Sequence, residues 1–192
     1  MGTETRRPGK KTLAGIVGVF VAGLLLTSIP REESGRTVKV AINPTTGAAT
    51  ITHISGPQYL KAYLDIVGVA TACDGLTGPE IREARRNGAK FTEQQCTDML
   101  EAALIKTAEE EKVCAPQLWT PGREYPLFAS ISLGYNVGTP RFCTSTAAKQ
   151  FRATHWRAGC EAILMWNRAG GRVVRGLADR RRRERNACIQ GA

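Results

Sequence analysis

Between Tyr63 and Gly78 the chain reads Tyr-Leu-Asp-Ile-Val-Gly-Val-Ala-Thr-Ala-Cys-Asp-Gly-Leu-Thr-Gly, so a carboxylate, a hydroxyl and several turn residues fall within one short stretch. Asp65 ends an apolar run. Val67, Val69 and Thr71 then alternate as a half-buried strand does, with Gly68, Gly75 and Gly78 as turn points. The stretch therefore reads as a carboxylate delivered by a turn into a small β-hairpin, a placement from which it can move a proton or activate water. An aspartate at a strand entrance can equally bind the amides of its own turn, and residue type alone leaves the two roles open.

The six cysteines, Cys73, Cys96, Cys114, Cys143, Cys160 and Cys188, are dispersed, contain no CxxC pair and are accompanied only by His53 and His155. That pattern argues against zinc and against any metal centre, and no cofactor is expected. An even number of separated cysteines fits disulfides in an oxidising compartment.

The elements that must carry these groups fit within 192 residues, which is one domain or one domain with an appendage, and 42% hydrophobic content is enough for a core. The formal charge of +10 is concentrated at Arg6, Arg7, Lys10 and Lys11 and at Arg180 to Arg183 with Arg185. Such ends suit an anionic lipid or cell-wall polymer, and no nucleic-acid-binding signature accompanies them. With Asp179 and Glu184 interleaved, the C-terminal cluster also reads as a solvated arginine-rich helix.

A basic flank over residues 1–12 precedes an uncharged run from Leu13 to Ile29, closed by Pro30, Arg31, Glu32 and Glu33. This predicts a membrane segment over 13–30 with its N-terminus in the cytoplasm. Glycines at 15, 18 and 23 and the hydroxyls of Thr27 and Ser28 dilute the run, and Leu26-Thr27-Ser28-Ile29-Pro30 is a poor signal-peptidase site, so an uncleaved anchor is the better reading. Ala14, Gly18 and Ala22 could also mark helix pairing in the membrane.

Residues 31–54 read as a linker or hairpin, with strands Thr37 to Ile42 and Ala48 to Ile54 around the turn Asn43-Pro44-Thr45-Thr46-Gly47. The main domain, 55–192, is predicted to be α+β and mostly helical, a helical lobe with a small β-hairpin subdomain. Its helices are Pro79 to Arg86, a long one capped by Thr92 and running to about Val113, Glu124 to Val137, Ser145 to Thr154, Arg157 to Asn167 and Gly176 to Ala187.

Several of these segments resemble the phage-type (T4-like) lysozymes, glycoside hydrolase family 24. The family's active-site segment reads Glu, eight residues, Asp, five residues, Thr, then a turn ending Gly-His-Thr; Asp65 and Thr71 match, while Gly56 stands at the Glu position, Leu76 at the His, Asp74 at another common His and Tyr59 at a common Arg. Phe91-Thr92-Glu93-Gln94-Gln95-Cys96 is similar to the start of the family's long interdomain helix, and Tyr135-Asn136-Val137-Gly138 to its aromatic-Asn-x-Gly segment across the cleft. Trp166 to Gly171, Gly176-Leu177 and Arg180-Arg181 with Glu184 and Cys188 resemble its C-terminal signature.

The resemblance implies a lysozyme-like fold and peptidoglycan glycan strands as substrate. It gives Asp65 and Thr71 catalytic roles with water, and Asn136 and Gly138 roles in substrate binding. Together with the N-terminal run it resembles the lambdoid signal-arrest-release endolysins, implying an inner-membrane precursor that escapes into the periplasm. Without a Glu at 56, weak catalysis is expected, or a non-catalytic relative that binds peptidoglycan or partners a true endolysin; Asp74 and Glu80 are the candidate substitute acids. By neighbourhood among the matched segments, Cys73 pairs with Cys96, Cys160 with Cys188 and Cys114 with Cys143, one of many possible connectivities.

Overall fold

The computed structural model describes residues 11–65 and 68–192. The first ten residues of the basic flank and the expected strand position Val67 lie outside these. Chain order is α1 (Leu13–Val17), α2 (Val19–Ser34), β1 (Thr37–Ile42), β2 (Ala49–Ser55), β3 (Tyr63–Leu64), β4 (Ala70–Ala72), β5 (Leu76–Thr77), α3 (Pro79–Asn87), α4 (Glu93–Cys114) and α5 (Glu124–Val137). There follow α6 (Thr139–Thr144), α7 (Thr146–Arg152), α8 (Trp156–Ala162), β6 (Arg168–Ala169), β7 (Arg172–Val173) and α9 (Arg175–Ile189). The mostly helical α+β architecture is the one expected.

The uncharged run differs from the expected membrane segment. It forms two helices separated at Gly18, whose φ of 83° is open to glycine and strained for other residues, and among the described residues no helix is long and apolar enough to cross a membrane. Thr12 caps α1 by accepting from Gly15 N, and Gly35 ends α2 in the left-handed conformation. On α2, Val21, Ala22, Leu25, Leu26 and Ile29 recur at helical intervals and are buried, whereas Val19 and Phe20 are about half exposed. The buried stripe joins Leu100, Leu104 and Ala108 of α4 and Leu127, Phe128 and Ile131 of α5 in one apolar cluster. At roughly 1.5–3 kcal/mol per fully buried large apolar side chain, docking of this run is a principal source of the core's stability.

The predicted hairpin is present as the antiparallel pair β1–β2, in register from Val38↔His53 to Ile42↔Ala49, with a bulge between Thr37, which pairs with Ser55, and Val38. Asn43 Oδ1 accepts from the amides of Thr45 and Thr46, both at 2.9 Å, which fixes the turn. Val38, Ala49 and Ile51 point inward onto the same cluster as α2 and α4. A second sheet, ordered β3–β4–β5, forms the small lobe with α3.

Thr92 begins α4 with a full capping box, as its pattern predicts: Thr92 Oγ1 accepts from Gln95 N and Gln95 Oε1 from Thr92 N. The three disulfides are those expected, Cys73–Cys96, Cys114–Cys143 and Cys160–Cys188. They tie the small sheet to α4, the end of α4 to α6, and α8 to α9. The sequence reading placed no strands after residue 167, but β6 and β7 pair around Gly170-Gly171.

Candidate active site

The tight turn before β4 positions Asp65. Its Oδ1 accepts from Val69 N at 2.8 Å, its amide donates to Val69 O at 2.9 Å, and Gly68 N donates to its carbonyl at 3.0 Å. The turn-binding role thus exists, and it orients the carboxylate. Thr71 lies opposite Tyr63 in β3 and Thr77 in β5, is buried, and donates from Oγ1 to Val69 O at 3.1 Å. Asp65 and Thr71 are consequently held by the same backbone residue, Val69.

Asn136, near the end of α5, lines a cleft of about 280 Å³ with Glu33, Gly75, Leu76, Thr77, Ala103 and Tyr135. Its Oδ1 accepts from Arg181 Nη2 at 3.1 Å, which leaves its amide nitrogen to serve as a donor. Gly138 does not line this cleft. With φ of 89° and ψ of 135° it ends α5, its amide returning to Gly134 O at 2.8 Å.

Position 56 is closed to any side chain. Gly56 has φ of 91°, and a Cβ there would lie 2.7 Å from Gly35 O and 2.8 Å from Arg36 Cα. The glycine is where β2 returns to the point from which β1 departed, and a side chain of any kind is excluded by backbone. The carboxylate in the cleft is Glu33, on the last turn of α2. It packs on Gly75, whose hypothetical Cβ would approach Glu33 Oε2 to 2.9 Å, and its Oε1 accepts from Arg180 Nη1 at 2.5 Å.

Arg180 is itself shared. Its Nε lies 3.0 Å from Glu184 Oε1 and its Nη2 donates to Ser132 O at 3.3 Å. Burial opposes its charge, but Glu33 and Glu184 outweigh burial and raise its pKa. Arg181, fully buried beside the same groups, is pushed down to about 10 by burial, with Glu184 countering. Tyr63 is raised by burial, by neighbouring Tyr59, and by the carboxylates of Asp65 and Glu33, so both acids reach the field of one phenol. Tyr59, in turn, stacks on Tyr63 with ring centroids 4.9 Å apart.

Neither substitute acid suggested by the sequence fits. Asp74 is fully buried and paired with Arg36, and Glu80 is exposed in the first turn of α3. Glu33 escaped sequence reasoning because nineteen hairpin and turn residues, 37–55, lie between it and the segment leading to Asp65. The available signal was an acidic residue closing the apolar run just ahead of a strand–turn–strand pattern whose two ends meet.

Glu33 and Asn136 line the cleft with Thr77, the β5 neighbour of Thr71, while Asp65 and Thr71 are not among its lining residues; two carboxyl groups and a hydroxyl are the groups that acid–base hydrolysis of a glycosidic bond uses. The phage lysozyme family pattern matches residues 56–184. The SAR-endolysin of Bacteriophage PS119 is 32% identical over 167 residues, covering 87% of this chain and 95% of the relative. That of Enterobacteria phage P21 is also 32% identical, covering 87% and 96%. Among solved structures, a P22 lysozyme mutant aligns with a TM-score of 0.58 at 28% identity, over 69% of this chain and 88% of that one. The active form of P1 phage endolysin Lyz has the same fold, with a TM-score of 0.58 at 20% identity over 69% of this chain and 76% of that one. On sequence, fold and cleft together, the chain belongs to the phage lysozyme family.

Proposed function

We propose that this protein is a signal-arrest-release endolysin that hydrolyses the β-1,4 bond between N-acetylmuramic acid and N-acetylglucosamine in peptidoglycan, with Glu33 as the general acid. The observation that carries the reading is the Glu33 carboxylate in the cleft beside Gly75, a cleft lined also by Asn136 and by Thr77, the β5 neighbour of Thr71. Glu33 gives its proton to the glycosidic oxygen as the bond to the anomeric carbon breaks. Asp65 takes a proton from the water that attacks that carbon from the opposite face, and Thr71 Oγ1 helps hold this water. The product anomer is inverted. The weak catalysis inferred from Gly56 is replaced in this reading by an intact acid carried on α2.

The test is hydrolysis of purified peptidoglycan by the full chain, with NMR of the anomeric protons of the product. Glu33→Gln and Asp65→Asn are each expected to lower turnover by about 10²–10⁴-fold or more, while Glu80→Gln leaves it unchanged. Wild-type protein that binds peptidoglycan without cleaving it would instead support the non-catalytic reading.

The run Leu13 to Ile29, now core, is proposed to span the inner membrane before release. A helix ending at Ile29 would hold Glu33 at the membrane edge, away from Asp65, so activity would await docking of α2. An alkaline phosphatase fusion at Gly191 is expected to be active in the periplasm, with newly made protein resisting carbonate extraction. Fully soluble cytoplasmic protein at all times would refute this.

A further inference from the structure

Next to Glu33 lies a buried polar cluster that the proposed chemistry does not use. Asp74, in the β4–β5 turn, is fully buried, and Arg36, just after α2, is 3% exposed. Arg36 donates from Nε to Asp74 Oδ1 at 2.8 Å and from Nη2 to Oδ2 at 2.7 Å, a two-pronged pairing that fixes direction as well as distance. Ser34 Oγ lies 2.9 Å from the same Oδ1 and shares its one proton between that oxygen and Pro30 O, 2.7 Å away. The third guanidinium nitrogen, Nη1, reaches Glu93 Oε1 at 2.5 Å in the first turn of α4. Tyr135 of α5, the neighbour of Asn136 in the cleft, donates its hydroxyl to Asp74 O at 3.0 Å.

The two strands of chain meet in matched order: Glu33 packs on Gly75, and the next residue, Ser34, bonds the preceding one, Asp74. Cys73, adjacent again, is bridged to Cys96 of α4. One turn is therefore anchored on α4, α5 and the end of α2 at once. Without its guanidinium, a buried Asp74 carboxylate would be costly enough to favour a turn open to water. From this geometry, and resting on Glu33 as the acid, we propose that Ser34, Arg36 and Asp74 form a latch of positioning residues. It closes the β4–β5 turn and sets the Glu33 carboxylate in the cleft.

The experiment uses the full chain in its soluble form. Wild-type turnover on peptidoglycan is measured first, since its absence would sink the catalytic reading and leave the latch to be judged by hydrogen exchange alone. Asp74→Asn and Arg36→Gln are expected to lower kcat by about 10–10²-fold with little change in KM, the signature of a displaced acid. Ser34→Ala, which keeps the ion pair and so keeps the fold, should lose several-fold in kcat. The double variant should be no slower than the worse single one, because the buried charges leave together.

Without substrate, amide exchange in Asp74→Asn and Ser34→Ala should rise jointly over residues 33–36 and 74–77 while α5 stays protected. Loss of kcat that only tracks the folded fraction would overturn the proposal, as would exchange that rises on one strand and not the other, or additive losses in the double variant.

Discussion

The two lobes hold themselves together by different physics. The helical lobe has a broad apolar cluster in which Leu13, Leu25, Leu26, Ile29, Leu100, Leu104, Leu118, Ile131, Phe142 and Phe151 are all fully buried. The small lobe's buried core consists of Ala62, Ala70, Ala72, Cys73, Leu76, Ile81, Ala84 and Cys96, with little side-chain volume to remove from water. Its strands are two or three residues long, too short to stand alone. A lobe built this way needs cross-links, and it has the Cys73–Cys96 disulfide and the Arg36–Asp74 pair. The cleft lies where the apolar body meets the stapled one, with Glu33 contributed by α2 and Gly75, Leu76 and Thr77 by the small lobe.

Three measurements can break or sharpen this contrast. The largest effect is expected from Leu25→Ala, which leaves a cavity between α2 and the helical core. It should destabilise the soluble protein by about 2–5 kcal/mol in denaturant unfolding, and a loss below about 1 kcal/mol would mean that α2 is only laid on the surface. The disulfides come next. Cys73–Cys96 and Cys160–Cys188 close loops of similar separation, 23 and 28 residues, so their chain-entropy contributions are nearly equal, at about 3 kcal/mol each. Removing the first by paired Cys→Ala changes should expose the amides of β4, β5 and α3 to exchange and abolish cleavage, whereas removing the second should leave the small lobe protected. Equal losses of protection in the small lobe would erase the distinction.

The smallest effect concerns a polar exception inside the helical lobe. Glu111 of α4 is fully buried, neither of its carboxyl oxygens has a hydrogen-bond partner among the described residues, and a Cβ on Gly134 would fall within 1.9 Å of its Oε1. Burial pushes its pKa well above the ordinary 4.5, with nearby Ser130 opposing only in part. Over the interval between these values the folded state holds a proton that the unfolded state has released. This contribution is therefore complete below the ordinary value and is lost as pH rises, by at most about 1.4 kcal/mol per unit, until the folded value is passed. Denaturant titrations of wild type and Glu111→Gln should diverge in that direction as pH increases, and parallel curves would show that Glu111 finds a partner in solution.

The sequence by itself determined the local elements. Thr92 and Gln95 make a capping box whichever tertiary neighbours they have, Glu124 to Val137 is helical between a Pro-Gly turn and Gly138, and Asn43 to Gly47 can only turn. Asp65 and Thr71 were legible for the same reason, since their spacing is set within one turn and one strand. Tertiary structure decided the surroundings of position 56. Counting along the chain leads to Gly56, but β1–β2 leaves from Gly35 and Arg36 and comes back to them, so the backbone packed on Gly56 is that which follows α2. It also decided the place of the run from Leu13 to Ile29. Burial of apolar surface is non-directional, so one uncharged run satisfies a bilayer or a protein core equally well. Here the break at Gly18 and the stripe from Val21 to Ile29 meet surfaces on α4, α5 and β1 that no linear reading could assemble.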